Sequence, residues 1–342
     1  MKKIGIFCVG TGGHVFPAKN MIKELNDKNI ELDNIVVITD KRGAQYFDNL
    51  EVKVHIENIY RSNNGIIGYI LNIKKIIKNI NNIKYLIKKE KIEVIFCTGS
   101  YIAPVASFLC MLLNIKYFGQ EQNIYGGLGN KFSSYLPGII FTSYPDTKNL
   151  RKKNIKFVGP IFNKNLFQVD RKKQNIVIGV QGGSQGSDEI NDFIYKFLDT
   201  NNLNKISFIH ITGKNKLKND NRYENYKQYD FIEDMNIYYS NISLQIGRAG
   251  GGSLEAAYLE IPQILIPYKH GTTSSHQSLN AEYLNNLGLA ELVNSYNEFE
   301  KTLLKIVNNF DEWKKNNLHK SNIQSGNEKI TKYLMEAIYE KN

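Results

Sequence analysis

No D-x-D triplet occurs anywhere in the chain, so the usual carboxylate pair that holds a metal ion against a diphosphate is not encoded. The cysteines are only three: Cys8, Cys97 and Cys110. Each lies in an apolar run and none has metal-ligand spacing, which excludes a zinc site and predicts buried thiols in a reducing compartment. The N-terminus lacks the charged-then-apolar pattern of a secretory leader. A membrane-spanning run is missing as well. Residues 94–115 carry no charge over 22 positions, but Thr98-Gly99-Ser100 and Pro104 interrupt them, so strand, loop and short helix are predicted there. No nucleic-acid-binding motif accompanies the basic charge, and no nucleic-acid partner is expected.

What is present points to two α/β domains. The length of 342 residues and the 42% hydrophobic content suffice for two cores. The net charge of +11 favours anionic partners such as phosphates or acidic lipid headgroups. Apolar runs predict strands at 3–9, 34–39, 92–98, 116–119 and 138–142, alternating with helices at 17–28, 41–49, 66–90, 103–113 and 124–135. Gly159-Pro160 and the polar run 163–174 form a linker. A second series follows. Its strands are expected at 175–181, 206–211, 229–232, 243–246, 263–267 and 290–293, and its helices at 187–199, 252–259, 276–287, 297–309 and 311–319. The first domain is thus taken as 1–160 and the second as 161–342, with an amphipathic helix near 326–340 able to pack on either. Each half opens with an apolar strand running into a glycine-rich turn. Two doubly wound, Rossmann-like sheets would leave an interdomain cleft at their carboxyl edges, where ligands bind in open α/β folds.

The turns carry the chemistry. Gly10-Thr11-Gly12-Gly13-His14 offers bare backbone N–H groups and a helix start to an anion, together with a residue suited to moving protons. Gly182-Gly183-Ser184-Gln185-Gly186 adds a hydroxyl donor and suits a diphosphate. In the segment 247–255, Arg248 adds a fixed charge beside Gly250, Gly251 and Gly252, and Glu255 suits the two hydroxyls of a ribose. Gln277 and Asn280 share a helix face and suit sugar hydroxyls. Thr98–Tyr101 and Gln120–Asn123 end strands at the same sheet edge as the first turn, where His14 and Glu121 are the acid–base candidates. The region 66–91 sets isoleucines beside lysines, a pattern for an anionic membrane surface or for a crossover helix with a solvated face. A dinucleotide-binding alternative uses Gly10-x-Gly12 and Asp40, but Val15 stands where the third glycine belongs.

Taken together, GTGGHVFPA at 10–18, QEQN at 120–123, GGSQG at 182–186, FIEDM at 231–235, RAGGGSLE at 248–255 and HQSLNA at 276–281 resemble the motifs of the bacterial lipid I N-acetylglucosaminyltransferases, the MurG family, over nearly the whole length. The resemblance implies a GT-B fold and inverting transfer of GlcNAc from UDP-GlcNAc to the MurNAc 4-hydroxyl of lipid I, forming lipid II. A related UDP-sugar transferase or hydrolase with another acceptor is the alternative. By similarity, Ile232 contacts uracil and Glu255 the ribose. Ser184, Gln185, Gly251 and Gly252 belong to the diphosphate turns, with Arg248 stabilising the leaving group. Gln277 and Asn280 hold GlcNAc. Thr11, Gly12, Gly13, Tyr101 and Asn123 line the acceptor side, with His14 as first candidate base and Glu121 as second. The resemblance also implies peripheral association with the cytoplasmic face of the plasma membrane; neither metal nor cofactor is expected. The chain departs from the family pattern at Val9, at Gln120, and at Asn163, which stands where a phosphate-contacting arginine is expected. The glycine-rich helix start is one residue shorter than the family's.

Overall fold

The computed structural model describes residues 1–60, 68, 71–166, 176–201, 206–214, 216–217, 224–268, 274–317 and 321–340. The chain forms two compact units, residues 1–163 with 325–342 and residues 164–324. The polar run 163–174 lies mostly outside the described residues.

In the first unit the order is β1 (Lys3–Phe7), α1 (Gly12–Asp27), β2 (Ile35–Thr39), α2 (Lys41–Ala44), β3 (Lys53–Ile56), α3 (Ile73–Lys89), β4 (Ile92–Cys97), α4 (Ala103–Leu113), β5 (Lys116–Glu121), α5 (Leu128–Ser133), β6 (Ile139–Thr142) and β7 (Ile155–Phe157). The seven strands pair in parallel in the order β3-β2-β1-β4-β5-β6-β7. Strands covered on both faces must be apolar throughout, and β2, IVVIT, is buried at every position. The period of two sorts its side chains. Ile35 and Val37 join Ile4, Ile6 and Phe96 in one core, while Val36 and Ile38 join Phe7, Ile95 and Cys97 in the other.

The second unit runs β8 (Ile176–Gln181), α6 (Asp188–Thr200), β9 (Ile206–Ile211), β10 (Tyr226–Tyr229), α7 (Met235–Asn241), β11 (Leu244–Gly247), α8 (Gly251–Tyr258), β12 (Gln263–Leu265), α9 (Ser274–Asn286), β13 (Glu291–Leu292), α10 (Tyr296–Asn308) and α11 (Phe310–Asn317). Its six strands are also parallel, in the order β10-β9-β8-β11-β12-β13. In each sheet the strand order reverses beside the first strand, between β1 and β4 and between β8 and β11. That switch point is where doubly wound sheets bind ligands. Both glycine turns stand there.

The last helix, α12 (Asn327–Tyr339), belongs to the first unit rather than to the second domain expected to end at 342. Ile330, Leu334, Ala337 and Ile338 enter the core with Met21, Ile22 and Leu25 of α1. Burial of each large side chain is worth about 1.5–3 kcal/mol. The start of α12 is tied to the chain that leaves the first sheet. The Asn327 side chain donates to the Phe162 carbonyl at 2.9 Å and accepts from the Phe162 N–H at 3.0 Å, and the Gly326 N–H donates to the Pro160 carbonyl at 2.7 Å.

Several boundaries differ from expectation. α1 begins at Gly12, five residues before Pro17, which lies inside the helix. Proline usually marks a helix start; here only the Gly13 carbonyl loses its partner. His14 is therefore on the first helical turn, not in a loop. The edge strands β3 and β7 were not expected; both are short and partly exposed, so they lack an unbroken apolar run. The strand expected at 229–232 ends at Tyr229, and Asp234 caps an unexpected helix, α7, by accepting from Asn236. The helix expected at 66–90 is described from Ile73 to Lys89, with most of 66–70 outside the described residues.

Candidate active-site half in each unit

In the first unit one carboxylate organises three loops. Asp40, the residue after β2, accepts on Oδ1 from the N–H groups of Gly10, at 3.0 Å, and Gly43, at 2.9 Å. Its Oδ2 accepts from the Tyr101 hydroxyl at 2.6 Å and from Arg42 Nε at 3.2 Å. Arg42 Nη2 lies 3.2 Å from the Tyr101 oxygen. The glycine turn, the start of α2 and the turn after β4 are thus held together. Gly10 has φ +95°, a conformation that other residues rarely adopt. Burial alone would raise the Asp40 pKa, but donation from Tyr101, Gly10, Gly43 and Arg42 outweighs it and holds the carboxyl below its ordinary range. Burial and the Asp40 charge push the Tyr101 phenol up to about 12. Sequence reading brought Tyr101 to this edge but considered Asp40 only as a ribose ligand of a dinucleotide, and it passed over Arg42. The overlooked signal is the helix-capping Asp at a strand end, with Arg two residues on.

His14 Nδ1 lies 2.7 Å from the Thr98 carbonyl oxygen at the end of β4. A carbonyl only accepts, so Nδ1 carries the proton and the lone pair of the neutral ring is on Nε2. The Thr11 carbonyl anchors the turn by accepting from the His14 N–H at 3.1 Å. Thr11 is the N-cap residue, yet its side chain makes no capping bond. A Cβ built on Gly13 would meet nothing within 4 Å, so that side of the helix start is open.

Glu121 is placed differently from a second base. It is 4% exposed, and its two oxygens accept from the Asn123 N–H at 3.0 Å, Asn123 Nδ2 at 3.1 Å, the Gly127 N–H at 3.0 Å and Asn130 Nδ2 at 2.9 Å. Four donors occupy a carboxylate's acceptor directions, so Glu121 fixes the loop 122–127, with Asn123 on it. Gln120 is buried and donates to Ser143 Oγ at 3.1 Å, so this departure from the family pattern is turned into the fold. Val9 is fully buried in the sheet core. Asn163, one residue beyond the Phe162 that Asn327 holds, ends the first stretch of the first unit.

In the second unit Ser184 and Gln185 occupy the turn after β8, and Ser187 caps α6 by accepting from the Ile190 N–H. Arg248 does not stand free toward a ligand. Its Nη2 is 2.6 Å from Ser187 Oγ and 2.7 Å from Glu189 Oε2, its Nη1 donates to the Ile266 carbonyl at 2.8 Å, and the guanidinium lies over the Tyr268 ring. The arginine joins the two glycine turns and the end of β12, with its charge matched by Glu189. Gly250 and Gly251 face open space, whereas a Cβ on Gly252 would come within 2.8 Å of the Gln181 amide. Asn280, buried, donates to the Ala249 carbonyl at 3.0 Å and so shapes the same turn; Gln277 Oε1 accepts from the Tyr268 N–H at 3.0 Å. Ile232 lies on the loop between β10 and α7, partly exposed. Glu255 on α8 accepts from the Tyr239 hydroxyl at 2.8 Å. Burial pushes its pKa up to about 7, against the pull of that bond. Among the described residues no group of three or more His, Cys, Asp and Glu could hold a metal ion.

Two parallel sheets, each with a glycine turn at its switch point, are the two halves of a GT-B fold. Sequence comparison agrees. The glycosyltransferase family 28 N-terminal domain matches residues 4–142, and the family 28 C-terminal domain matches residues 177–334. A UDP-N-acetylglucosamine–N-acetylmuramyl-(pentapeptide) pyrophosphoryl-undecaprenol N-acetylglucosamine transferase of Thermosipho africanus is 31% identical over 86% of this chain and 87% of its own length. The transferase of the same name from Prochlorococcus marinus strain AS9601 is 30% identical over 95% of each chain. The fold matches the crystal structure of Acinetobacter baumannii MurG with a TM-score of 0.76 at 22% identity, over 99% of both chains. The chain belongs to glycosyltransferase family 28, among its MurG-type N-acetylglucosaminyltransferases.

Proposed function

We propose that this enzyme transfers GlcNAc from UDP-GlcNAc to the MurNAc 4-hydroxyl of lipid I, with inversion, giving lipid II in peptidoglycan synthesis. The observation that carries the reading is the His14–Thr98 hydrogen bond, which leaves Nε2 as a proton acceptor beside an open glycine turn. The names of relatives about 30% identical over most of the chain supply the substrates.

Donor binding is assigned to the second unit. Ile232 packs on uracil and Glu255 accepts from the ribose hydroxyls. Ser184, Gln185, Gly251 and Gly252 present donors to the diphosphate, while Gln277 and Asn280 hold GlcNAc. Arg248 acts by fixing the two turns rather than as a bare countercharge, because Glu189 and Ser187 already engage it. Thr11, Gly12, Gly13, Tyr101 and Asn123 serve the acceptor. His14 Nε2 takes the proton from the acceptor hydroxyl as its oxygen attacks C1 of GlcNAc; the bond from C1 to the diphosphate oxygen breaks, and UDP leaves with the electron pair. Backbone donors aimed at the growing charge of the diphosphate stabilise that transition state, and each is worth about 2.7–4 kcal/mol of barrier. The reading calls on no metal and no cofactor.

The enzyme would work at an anionic membrane surface, on the cytoplasmic face, without spanning it. Ile73 and Ile77 of α3 are half exposed, with Lys74, Lys75 and Lys78 beside them, and an amphipathic basic face of this kind suits anionic headgroups. Among the described residues no helix is long and apolar enough to cross a membrane. Incubation with UDP-GlcNAc and lipid I tests the reading, with lipid II as the expected product. Free GlcNAc alone would identify a hydrolase, and UDP release only with some other lipid or glycan would move the acceptor assignment.

A further inference from the structure

Behind the glycine-rich start of α8 lies a chain of buried side chains that the transfer reaction, as described above, does not use. Gln263 on β12 donates to the Ser253 carbonyl at 3.0 Å. Gln245 on β11 places its Nε2 3.2 Å from the Gly252 carbonyl and 3.1 Å from Gln263 Oε1. Gln181 on β8 donates to Gln245 Oε1 at 2.8 Å, and the same Nε2 lies 3.2 Å from the Tyr239 hydroxyl. Gln245, Gln263 and Tyr239 are at most 1% exposed.

The direction of this chain is forced. Backbone carbonyls only accept, so Gln263 and Gln245 must turn their NH₂ groups toward Ser253 and Gly252. That leaves Gln245 Oε1 facing Gln181, which must answer with its own NH₂. The second N–H of that group points to the Tyr239 oxygen. With its oxygen already accepting, Tyr239 directs its one proton outward, to Glu255 Oε2 at 2.8 Å; the competing Gly252 carbonyl is farther, at 3.3 Å.

We propose that Tyr239 is a positioning residue of the donor site: the glutamine relay aims its hydroxyl proton at Glu255, fixing that side chain's rotamer and favouring its ionised form for the ribose hydroxyls. The inference rests on the assignment of Glu255 to the ribose. Burial pushes Glu255 up to about 7, and the Tyr239 bond is what opposes that rise. Tyr239 itself, raised far above the ordinary tyrosine range by burial and by the Glu255 charge, stays a donor throughout. Among the described residues no lysine, arginine or histidine pairs with Glu255, so Tyr239 is the ionisable group set against it. Donor recognition is thereby tied to pH, strengthening as Glu255 ionises.

Titration calorimetry of the full chain with UDP-GlcNAc between pH 6 and 9 tests this, since the diphosphate diester of that ligand keeps its charge over the range. Affinity in the wild type should rise through pH 7. In Tyr239→Phe the midpoint should move up by about one unit, because hydrogen bonds to charged groups are among the stronger ones. Affinity should then be about fivefold weaker at pH 7 and near wild type at pH 9. Glu255→Gln should bind weakly with no pH dependence. Gln181→Leu, which frees Tyr239 to turn to the Gly252 carbonyl, should shift the midpoint the same way by less, and it carries the test if Tyr239→Phe does not fold. An unmoved midpoint in both variants, or a loss equal at every pH, overturns the inference. A wild type that fails to bind UDP-GlcNAc at any pH would instead remove the donor assignment itself.

Discussion

At the scale of single residues, His14 and Asp40 divide the work of the first unit. His14 presents Nε2 because the Thr98 carbonyl holds Nδ1. His14→Ala should lower turnover about 10²–10⁴-fold, the range of general acid–base catalysis. UDP-GlcNAc affinity should stay near wild type by calorimetry, since the donor residues lie in the other unit; a large loss of donor binding would remove His14 from the acceptor side. Asp40 is an anchor. Asp40→Ala leaves the buried Gly10 and Gly43 N–H groups without their acceptor, an exposure worth about 1–3 kcal/mol of stability, read in urea denaturation. Asp40→Asn keeps an oxygen for both and should cost less. The sign with pH follows from its lowered pKa: the unfolded state takes up a proton first, so the contribution is full above the unfolded value and is lost as pH falls through the folded one. The urea midpoint of the wild type should therefore drop in acid, and that of Asp40→Asn should drop less.

At the scale of elements, strand identity was legible because parallel strands covered on both faces are apolar runs, as β2 is throughout and β4 is from Val94 on. Elements without such runs were not. β3 and β7 are exposed edges, and α7 lies between the strands expected at 229–232 and 243–246, where no element was expected. Pro17 misplaced the start of α1 because a rule about frequent positions met a helix that tolerates an internal proline. The terminal helix α12 was recognisable as amphipathic, but periodicity cannot name the surface that receives it. The structure sets it against α1, so Leu334→Ala should destabilise the first unit by about 2–5 kcal/mol, measured by chemical denaturation, as a large-to-small change in a packed core.

At the scale of the whole molecule, the net charge of +11 describes no fold, yet it predicts behaviour at surfaces. Co-sedimentation with vesicles containing anionic phospholipid should retain the protein, and with purely zwitterionic vesicles much less. Binding should weaken as salt rises past the point where the screening length falls below about 10 Å. Changing Ile73 and Ile77 together to Ser should reduce retention while leaving UDP-GlcNAc binding intact. Retention that ignores both lipid charge and salt would count against the membrane assignment of α3.

The glycine turn at residues 10–13, the two turns of the second unit, the alternation of strand and helix and the membership of family 28 were all determined by the sequence. They depend on residue type at fixed spacing, and local geometry follows from that. What each polar side chain does was decided only by the tertiary structure. Glu121 and Arg248, read from the sequence as the second candidate base and as a fixed charge beside the diphosphate, are each held by several partners: Gly127 and Asn130 on the following loop and helix for one, Ser187 and Glu189 for the other. Asp40 in the first unit, and Tyr239 with three glutamines on separate strands in the second, meet partners that lie far off along the chain. A hydrogen bond depends on where its two partners meet in space, and no local spacing records that.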